Sequence, residues 1–384
     1  MTMMALGEAA RFINGAAFKP TEWGDEGLPI VRIQNLTGTS EKFNLTTRIV
    51  KPELIVESGD LLVSWSATLD VYRWGGPRGL LNQHIFKVLP NSGVDPDYLY
   101  FALKNALAEL SSKTHGSTMK HVVRGDFEST KVRMPSIEEQ RRIVDVLSRA
   151  EGIVQLRRDA QKKAAELIPA IFLDMFGEPS WNPKEWPTLP LNEVSEVISG
   201  VAKGRQLSGD DLIELPYMRV GNVKDGHLDL SEVKTMEIKR SEVEKLRIEP
   251  GDLLMTEGGD PDKLGRAALW RGEINLCVHQ NHIFKVRSNR VLLSPEYLRS
   301  LAGSAYGKAY FLRVAKKTTG IASINKTQLS AFPVVLPPRA MQEVFNRHVQ
   351  SAESIMAQQD DASDKAKATF EALLARSFTT EALA

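Results

Sequence analysis

Residues 136–177 read SIEEQRRIVDVLSRAEGIVQLRRDAQKKAAELIPAIFLDMFG. Apolar or small residues recur at Ile143, Val146, Ala150, Ile153, Ala160, Ala164, Leu167 and Ile171, in alternating steps of three and four with one slot missed at Arg157. That spacing predicts a long helix with one seam laid along another helix. Ser136 and Glu139 form a capping box ahead of the periodic run, and Pro135 stands just outside it. The stretch from 136 to 168 would extend roughly 50 Å as a helix. Pro169 is expected to kink or interrupt it, having no N–H to donate and a ring that crowds the preceding turn.

A helix of that length needs a partner, and residues 339–378 offer one. Phe345, Val349, Ala352, Met356, Ala366, Phe370 and Leu373 follow the same stepping. Both helices are introduced alike, by VRMPSIEEQ at 132–140 and VLPPRAMQ at 335–342. Each string places a glutamine after a proline at the same spacing: Pro135 with Gln140, and Pro337 with Gln342.

What precedes each helix also repeats, displaced by roughly 185–200 residues. LGEA at 6–9 answers LNEV at 191–194, and Gly15 answers Gly200. PIVRIQN at 29–35 answers PYMRVGN at 216–222, and GDLL recurs at 59–62 and 251–254. NQHIFKV at 82–88 answers QNHIFKV at 280–286. Pro96, Tyr98 and Leu99 answer Pro295, Tyr297 and Leu298. Matches in one order indicate a duplicated unit of one globular domain plus one long helix. β-rich runs at 30–33, 61–64 and 85–89, and at 217–220, 253–256 and 283–286, predict mixed α and β domains. Short helices are expected near 97–110 and 295–303.

The fold class read from the chain is therefore α+β: two repeated mixed α/β domains and two long helices packed as an antiparallel coiled coil. The segments are 1–135, a central helix at 136–177, a linker at 178–190, 191–337, and a C-terminal helix at 338–384. The linker region is marked by Pro179, Pro183, Pro187 and Pro190.

Composition narrows the function. A hydrophobic content of 42% in 384 residues suffices for real cores, and no run approaches a membrane span. Cys277 is the lone cysteine, so neither a disulfide framework nor a cysteine metal site is expected. The N-terminal residues are too interrupted for a signal peptide, which points to a cytosolic protein. With a formal net charge of +1, any basic surface must be local.

No catalytic motif stands out. An Asn/Asp-Pro-Pro-aromatic string for amino-methyl transfer is missing, and residues 303–308 have the wrong spacing for a phosphate loop. The glycine-rich 258–265 reads as a turn. Glu232-Val233-Lys234 and Glu237-Ile238-Lys239 read as solvated strand charges, and the histidines lack metal-ligand spacing.

What remains is a nucleic-acid signal at matched places. Residues 299–326 carry Arg299, Lys308, Arg313, Lys316, Lys317 and Lys326 with no acid, and Tyr306, Tyr310 and Phe311 are interleaved. Residues 98–124 carry Lys104, Lys113, Lys120 and Arg124, plus His115 and His121, against Glu109 alone. Each stretch holds a Gly/Thr/Ser-rich turn, which brings in Thr118 and Thr319. Such cations neutralise phosphates, while hydroxyls and backbone amides fix register. Gln83, His84, Gln280, Asn281 and His282 are of the types that read base edges. Arg32, Asn35, Arg219, Asn222 and Asn325 complete the candidates for DNA contact. A solvated helix face with a loop is the plain alternative for either stretch.

At this point the chain resembles the specificity (S) subunit of type I restriction-modification systems. The resemblance rests on the two repeats, the GDLL and NQHI/QNHI strings, the proline–glutamine helix starts, and the FGEP…NPKEWP linker after Phe176. It implies two target-recognition domains that each read one half of a bipartite DNA site. It implies helices that act as a spacer and dock two modification (M) subunits, which carry the S-adenosylmethionine site and methylate adenine. Restriction (R) subunits would add ATP- and Mg-dependent translocation and cleavage. No catalysis, cofactor or metal is expected on this chain, and the implied setting is the bacterial or archaeal cytoplasm, at the nucleoid. Val154, Leu156, Ile168 and Phe172, partly off the seam, are the expected subunit-interface residues. A helical scaffold with protein-binding ends, or a divergent nuclease or methyltransferase, are the competing readings.

Overall fold

The structure, a computed structural model, describes residues 2–66, 68–113, 124–202, 204, 211–260, 263–318 and 320–379. It is α+β, and the chain divides into two compact units. One comprises residues 1–159 completed by 361–384; the other comprises residues 160–360. Each unit therefore holds one globular domain together with a part of both long helices.

The first unit is built on an antiparallel sheet ordered Ala10–Asn14, Ile85–Pro90, Leu61–Ser64, Asp70–Arg73. A second sheet runs Leu45–Thr46, Leu28–Val31, Gly79–Leu81, Ile55–Val56, with a parallel pairing of Ile30 to Leu80. Helix Pro96–Lys113 covers the first sheet, and Phe12, Phe86 and Phe127 meet beneath it. Met3–Ala5 pairs with Lys131–Arg133, which brings both ends of the domain to the helix start.

The second unit repeats this plan. Its sheet is ordered Ser195–Ser199, Ile283–Ser288, Leu253–Thr256, Ala267–Leu269, and Tyr217 pairs in parallel with Val278. Thr188–Pro190 pairs with Pro333–Val335 as the closing ribbon. One sheet has no described counterpart in the first unit: Gly258–Gly259, Ile321–Ser323 and Lys316–Thr318. The expected strands at 30–33 and 217–220 stop short, because Ile33–Leu36 and Val220–Asn222 are helical turns.

The repeated strings turn out to be joints. In the GDLL strings, Gly59 and Gly251 have φ of 93° and 95° and donate to the carbonyls of Trp74 and Trp270. Those tryptophans donate back to the carbonyls of Asp60 and Asp252. Trp74 and Trp270 thus belong to the repeat although their flanking residues differ. Gly15 and Gly200 pass so close to the 81–82 and 279–280 backbones that a Cβ would collide with carbonyl oxygens. Lys87 and Lys285, in the FKV strings, tie the main sheets to their surroundings: Lys87 donates to the Ile55 carbonyl of the second sheet, and Lys285 to those of Lys245 and Arg247 at the end of helix Arg240–Leu246.

The glutamines that follow the prolines are the firmest joints. Gln140 accepts from the Asp95 N–H at 2.8 Å and donates to the carbonyls of Pro135 (2.9 Å) and Gly93 (3.1 Å). Gln342 accepts from the Ser294 N–H at 2.7 Å and donates to the carbonyls of Pro337 (2.9 Å) and Leu292 (3.0 Å). Both are buried. Beside them the hydroxyls of Tyr98 and Tyr297 donate to the carbonyls of Arg133 and Val335. Ser136 caps its helix through the Glu139 N–H, but the Glu139 carboxylate pairs with Arg133, so the capping box is half made.

The first long helix runs over Ile137–Ala165 and is interrupted at Glu166 before Leu167–Phe176. Pro169 is the cause: it has no N–H for the Ala165 carbonyl, and it is tolerated in the first turn of the following helix. The C-terminal helix, Arg339–Phe378, is continuous. Within the first unit Arg133, at the start of one helix, donates to the Ser377 carbonyl near the end of the other. Within the second unit Phe172 and Phe176 pack on Phe345, and Gln161 donates to Asp360. Both arrangements are antiparallel.

The seam on the first helix keeps Ile143, Ala150, Ala164 and Ile171 as expected but differs by one residue at two positions. Leu147 and Val154 are buried, while Val146 and Ile153 are 48% and 52% exposed. The heptad spacing is kept, but at these two positions the domain core takes the neighbouring residue, and Leu147 joins the core that holds Phe101 and Phe370. The glutamine joint makes a direct prediction. Gln140→Ala or Gln342→Ala leaves a buried N–H and two carbonyls unpaired, and should cost about 2–4 kcal/mol of stability. Urea unfolding of the purified chain measures this; a loss near zero would show the joint to be dispensable.

Candidate nucleic-acid interface

In the second unit the basic stretch folds as helix Ala305–Val314, a hairpin, and helix Lys326–Ser330. Lys316, Lys317 and Lys326 are exposed and enter no ion pair among the described residues. Arg313 is exposed at the helix end, its guanidinium 5.5 Å from the Tyr310 ring centroid. The QNH turn adjoins this surface through one residue. The Glu257 N–H donates to the His282 carbonyl, and the Ile324 N–H donates to the Glu257 carbonyl. Gln280, Asn281 and His282 are thereby brought beside the hairpin and Asn325. His282 Nδ1 lies 2.7 Å from the Glu257 carboxylate. This surface offers four cations, two side-chain amides and several hydroxyls, a set suited to phosphates and base edges.

In the first unit Gln83 is exposed on the matching turn, and the His84 ring packs edge-on to Trp65 at 4.9 Å. Trp65 occupies the place of Glu257: its N–H donates to the His84 carbonyl. Thr118, Lys120 and Thr319 lie outside the described residues, as does the side chain of Lys113.

Several candidates are engaged in holding the fold instead. Asn35 accepts from the Arg32 N–H and donates to the carbonyls of Ser40 and Lys42. Asn222, buried, accepts from the Arg219 N–H and donates to the carbonyls of Asp229 and Glu232. With both amide ends spent, these asparagines build turns and have nothing to offer a base. The Arg32 guanidinium lies over Trp23, and Arg219 is held by Glu232, whose carboxyl is lowered by hydrogen bonds from Arg219 and Lys234. Arg124 is shared between Glu128 and the Phe12 carbonyl, and Lys308 pairs with Asp225. Asn325 caps the following helix by accepting from the Gln328 N–H. The interleaved aromatics face inward. Tyr306 and Tyr310 donate to the carbonyls of Pro333 and Gln328, and Phe311 is fully buried.

The expected subunit-interface residues divide. Val154 and Phe172 are core residues, 8% and 2% exposed, and Ile168 packs partly against the second core. Leu156 is 71% exposed and continues an outer row with Val146 and Ile153. The first core draws Val154 inward and leaves its neighbours Ile153 and Leu156 facing out.

Two features escaped sequence reasoning. Glu151 takes hydrogen bonds from Tyr100 (2.6 Å), Lys104 (2.9 Å) and Arg73 (3.1 Å). Burial raises its carboxyl, but those bonds and charges outweigh burial and hold it below the usual range. Glu353, at the same distance beyond its glutamine, pairs with Arg271 and Arg299. The matched spacing from Gln140 and Gln342 was the available signal. The second feature is His279, fully buried beneath the turn, with Nδ1 2.9 Å from the Ile283 carbonyl. Burial pushes its pKa down to about 4.

Residues 1–166 match the family described as the type I restriction modification DNA specificity domain. Over nearly its whole length the chain is similar to the EcoBI specificity subunit of Escherichia coli: 22% identical over 415 residues, spanning 98% of this chain and 85% of that one. The EcoKI specificity subunit of Escherichia coli K12 is 23% identical over 406 residues, spanning 93% and 83%. Among solved structures, a chain from a study of type I R-M complex assembly superposes with a TM-score of 0.60 at 16% identity, covering 99% and 98%. The S subunit from M. genitalium gives 0.51 at 12% identity, covering 98% and 96%. These likenesses extend the family's fold over both units.

Two outcomes are expected. Replacing Lys316 and Lys317 by alanine should weaken DNA binding for all sequences and flatten its salt dependence, as lost phosphate contacts do. A binding titration across salt concentrations checks it, and an unchanged slope would remove the two lysines from the interface. For His279 the folded pKa lies below the ordinary 6.5. The unfolded chain takes up a proton that the folded chain refuses, so stability is full above about pH 6.5 and is lost as pH falls towards 4, by up to about 3 kcal/mol. The difference in unfolding free energy between the natural chain and His279→Asn should therefore shrink between pH 7.5 and 5. A constant difference would contradict the assignment.

Proposed function

We propose that this chain, which belongs to the specificity subunits of type I restriction-modification systems, recognises DNA sequence with two domains that each read one half of a bipartite site. The observation that carries this reading is the duplicated frame: the same joints at Gly15 and Gly200, Asp60 and Asp252, and Gln140 and Gln342 hold up two turns of different sequence. A frame whose joints repeat to such detail while the residues around them differ, the outer turns included, suits two readers of two different short sequences.

The chain itself supplies binding and geometry. Lys316, Lys317, Arg313 and Lys326 hold phosphates, and Gln280 and Asn281 reach base edges, with Gln83 in the matching role in the first domain. Methyl transfer, with its S-adenosylmethionine, belongs to two modification subunits, and ATP- and Mg-dependent restriction to further subunits. The exposed row of Val146, Ile153 and Leu156 is a docking face for a modification subunit. The complex works on chromosomal and incoming DNA in the cytoplasm of its host. No helix among the described residues is long and apolar enough to cross a membrane.

Methylome sequencing of a host expressing the chain with its modification subunit tests the reading. Exchanging residues 1–134 for the corresponding domain of a relative should change one half-site and leave the other intact. A joint change of both would end the idea of independent readers. The helices are proposed to set the gap between half-sites. Gln161 and Asp360 are hydrogen-bonded neighbours, so both helices must be lengthened together. Four residues inserted after Ala160 and four after Asp360 add roughly 6 Å. At about 3.4 Å per base pair the preferred gap should widen by one or two base pairs, with both half-sites unchanged. An active variant with its original gap would sink the ruler.

A further inference from the structure

The hairpin in the second unit carries a side chain that phosphate contacts and amide readout leave unexplained. Register sets Thr318 opposite Ile321 and Lys316 opposite Ser323, while Gly258 flanks Ser323 on its other side. Paired residues share a face and faces alternate along a strand. Lys316, Thr318, Ile321 and Ser323 therefore point one way, and Lys317, Ala322 and Gly259 the other. On the second face Ala322 is fully buried, while Lys317 at the outer strand stays exposed. The first is open: Ile321 is 57% exposed, and Lys316 and Thr318 are exposed beside it. Gly258 adds no side chain next to Ser323, so the open face stays flat there.

A single exposed isoleucine is ordinary on a protein surface. This one stands among a lysine and two hydroxyls, in a stretch from 299 to 326 that has no acid. Two acids of the adjoining strand region are paired: Glu257 faces His282, and Asp260 pairs with Lys263. The QNH turn, with its two amides, adjoins the same sheet. A two-stranded ribbon has the width that enters a major groove, and the apolar group displayed on the floor of that groove is the 5-methyl of thymine.

We propose that Ile321 is a specificity-determining residue that reads one thymine of the second half-site by packing on its 5-methyl group. Lys316 sits on a neighbouring phosphate, and the ribbon lies in the major groove. This rests on the reading of the chain as a DNA-recognition subunit. It adds the groove, the base and the atom contacted.

The test uses the chain in complex with its modification subunits, on DNA carrying the half-sites mapped by methylome sequencing. Each thymine of the second half-site is replaced, one at a time, by deoxyuridine, which removes the methyl group and nothing else. One position should weaken binding of the natural complex about three- to fivefold, the worth of one buried methyl. At that position the Ile321→Ala complex should bind thymine and deoxyuridine equally, while Ile321→Val keeps part of the preference. Ile321 is exposed, so the variants fold, and their unchanged response at the other base pairs confirms it. The proposal is overturned if the natural complex is indifferent to deoxyuridine everywhere. That is the behaviour expected of an isoleucine wedged into the minor groove, or bound to a protein. It is overturned equally if Ile321→Ala keeps the full penalty, or if the second half-site holds no A·T pair. A natural complex that shows no preference for its mapped site would instead bring down the recognition reading itself.

Discussion

The two buried glutamines hold everything else in place. A side-chain amide has one acceptor and two N–H donors, and Gln140 and Gln342 spend them in the same way: one backbone N–H accepted, two backbone carbonyls satisfied. The groups they satisfy come from the loop before the domain's covering helix and from the proline turn before the long helix. Without the amide, buried backbone groups at the junction of sheet, short helix and long helix would have no partner. The tyrosine hydroxyls of Tyr98 and Tyr297 close the other side of the junction. A rigid angle between domain and helix follows in each unit from chemistry repeated atom for atom.

Much of this was legible. The proline–glutamine spacing, the GDLL strings and the aligned aromatic positions name the joints because each needs a particular residue: a glycine where a Cβ would strike a carbonyl, a glutamine where three backbone groups need an amide. The site was less legible, for a related reason. Asn35, Asn222 and Asn325 are polar, repeated or close to basic residues, and sequence alone does not tell an amide facing solvent from one folded back on its own turn. The structure shows that the backbone takes them. The seam of the first long helix also differs by one residue at two positions, Val146 and Ile153 giving way to Leu147 and Val154. Val146 and Leu147 both satisfy the helical period, and only the surrounding core, with Phe101 and Phe370, selects the larger residue.

Repeated joints and free edges are two sides of one arrangement. Behind the NQH and QNH turns the backbone is fixed by Gly15 and Gly200, by the FKV lysines and, in the second unit, by the buried His279. In front of them one matched position differs in kind: Trp65 packs on His84, whereas Glu257 faces His282. An aromatic ring makes the first turn apolar and closed, while a carboxylate makes the second polar and open. Two surfaces with different chemical preferences thus stand on the same support, and altering one does not disturb the bonds beneath it.

The first unit takes part of its core from the far end of the chain. Phe370 and Leu374 are buried against Phe101 and Leu147, and Arg133 holds the Ser377 carbonyl. During synthesis the first domain therefore emerges without residues that its core requires, and waits while some two hundred more are added. The second unit, contained within residues 160–360, meets no such delay. Folding should then run against the order of translation, the later domain settling first and the earlier one closing when residues 361–378 arrive. Until then the apolar side of the first long helix lies open, so chaperones have most to protect in the half of the protein that is made first.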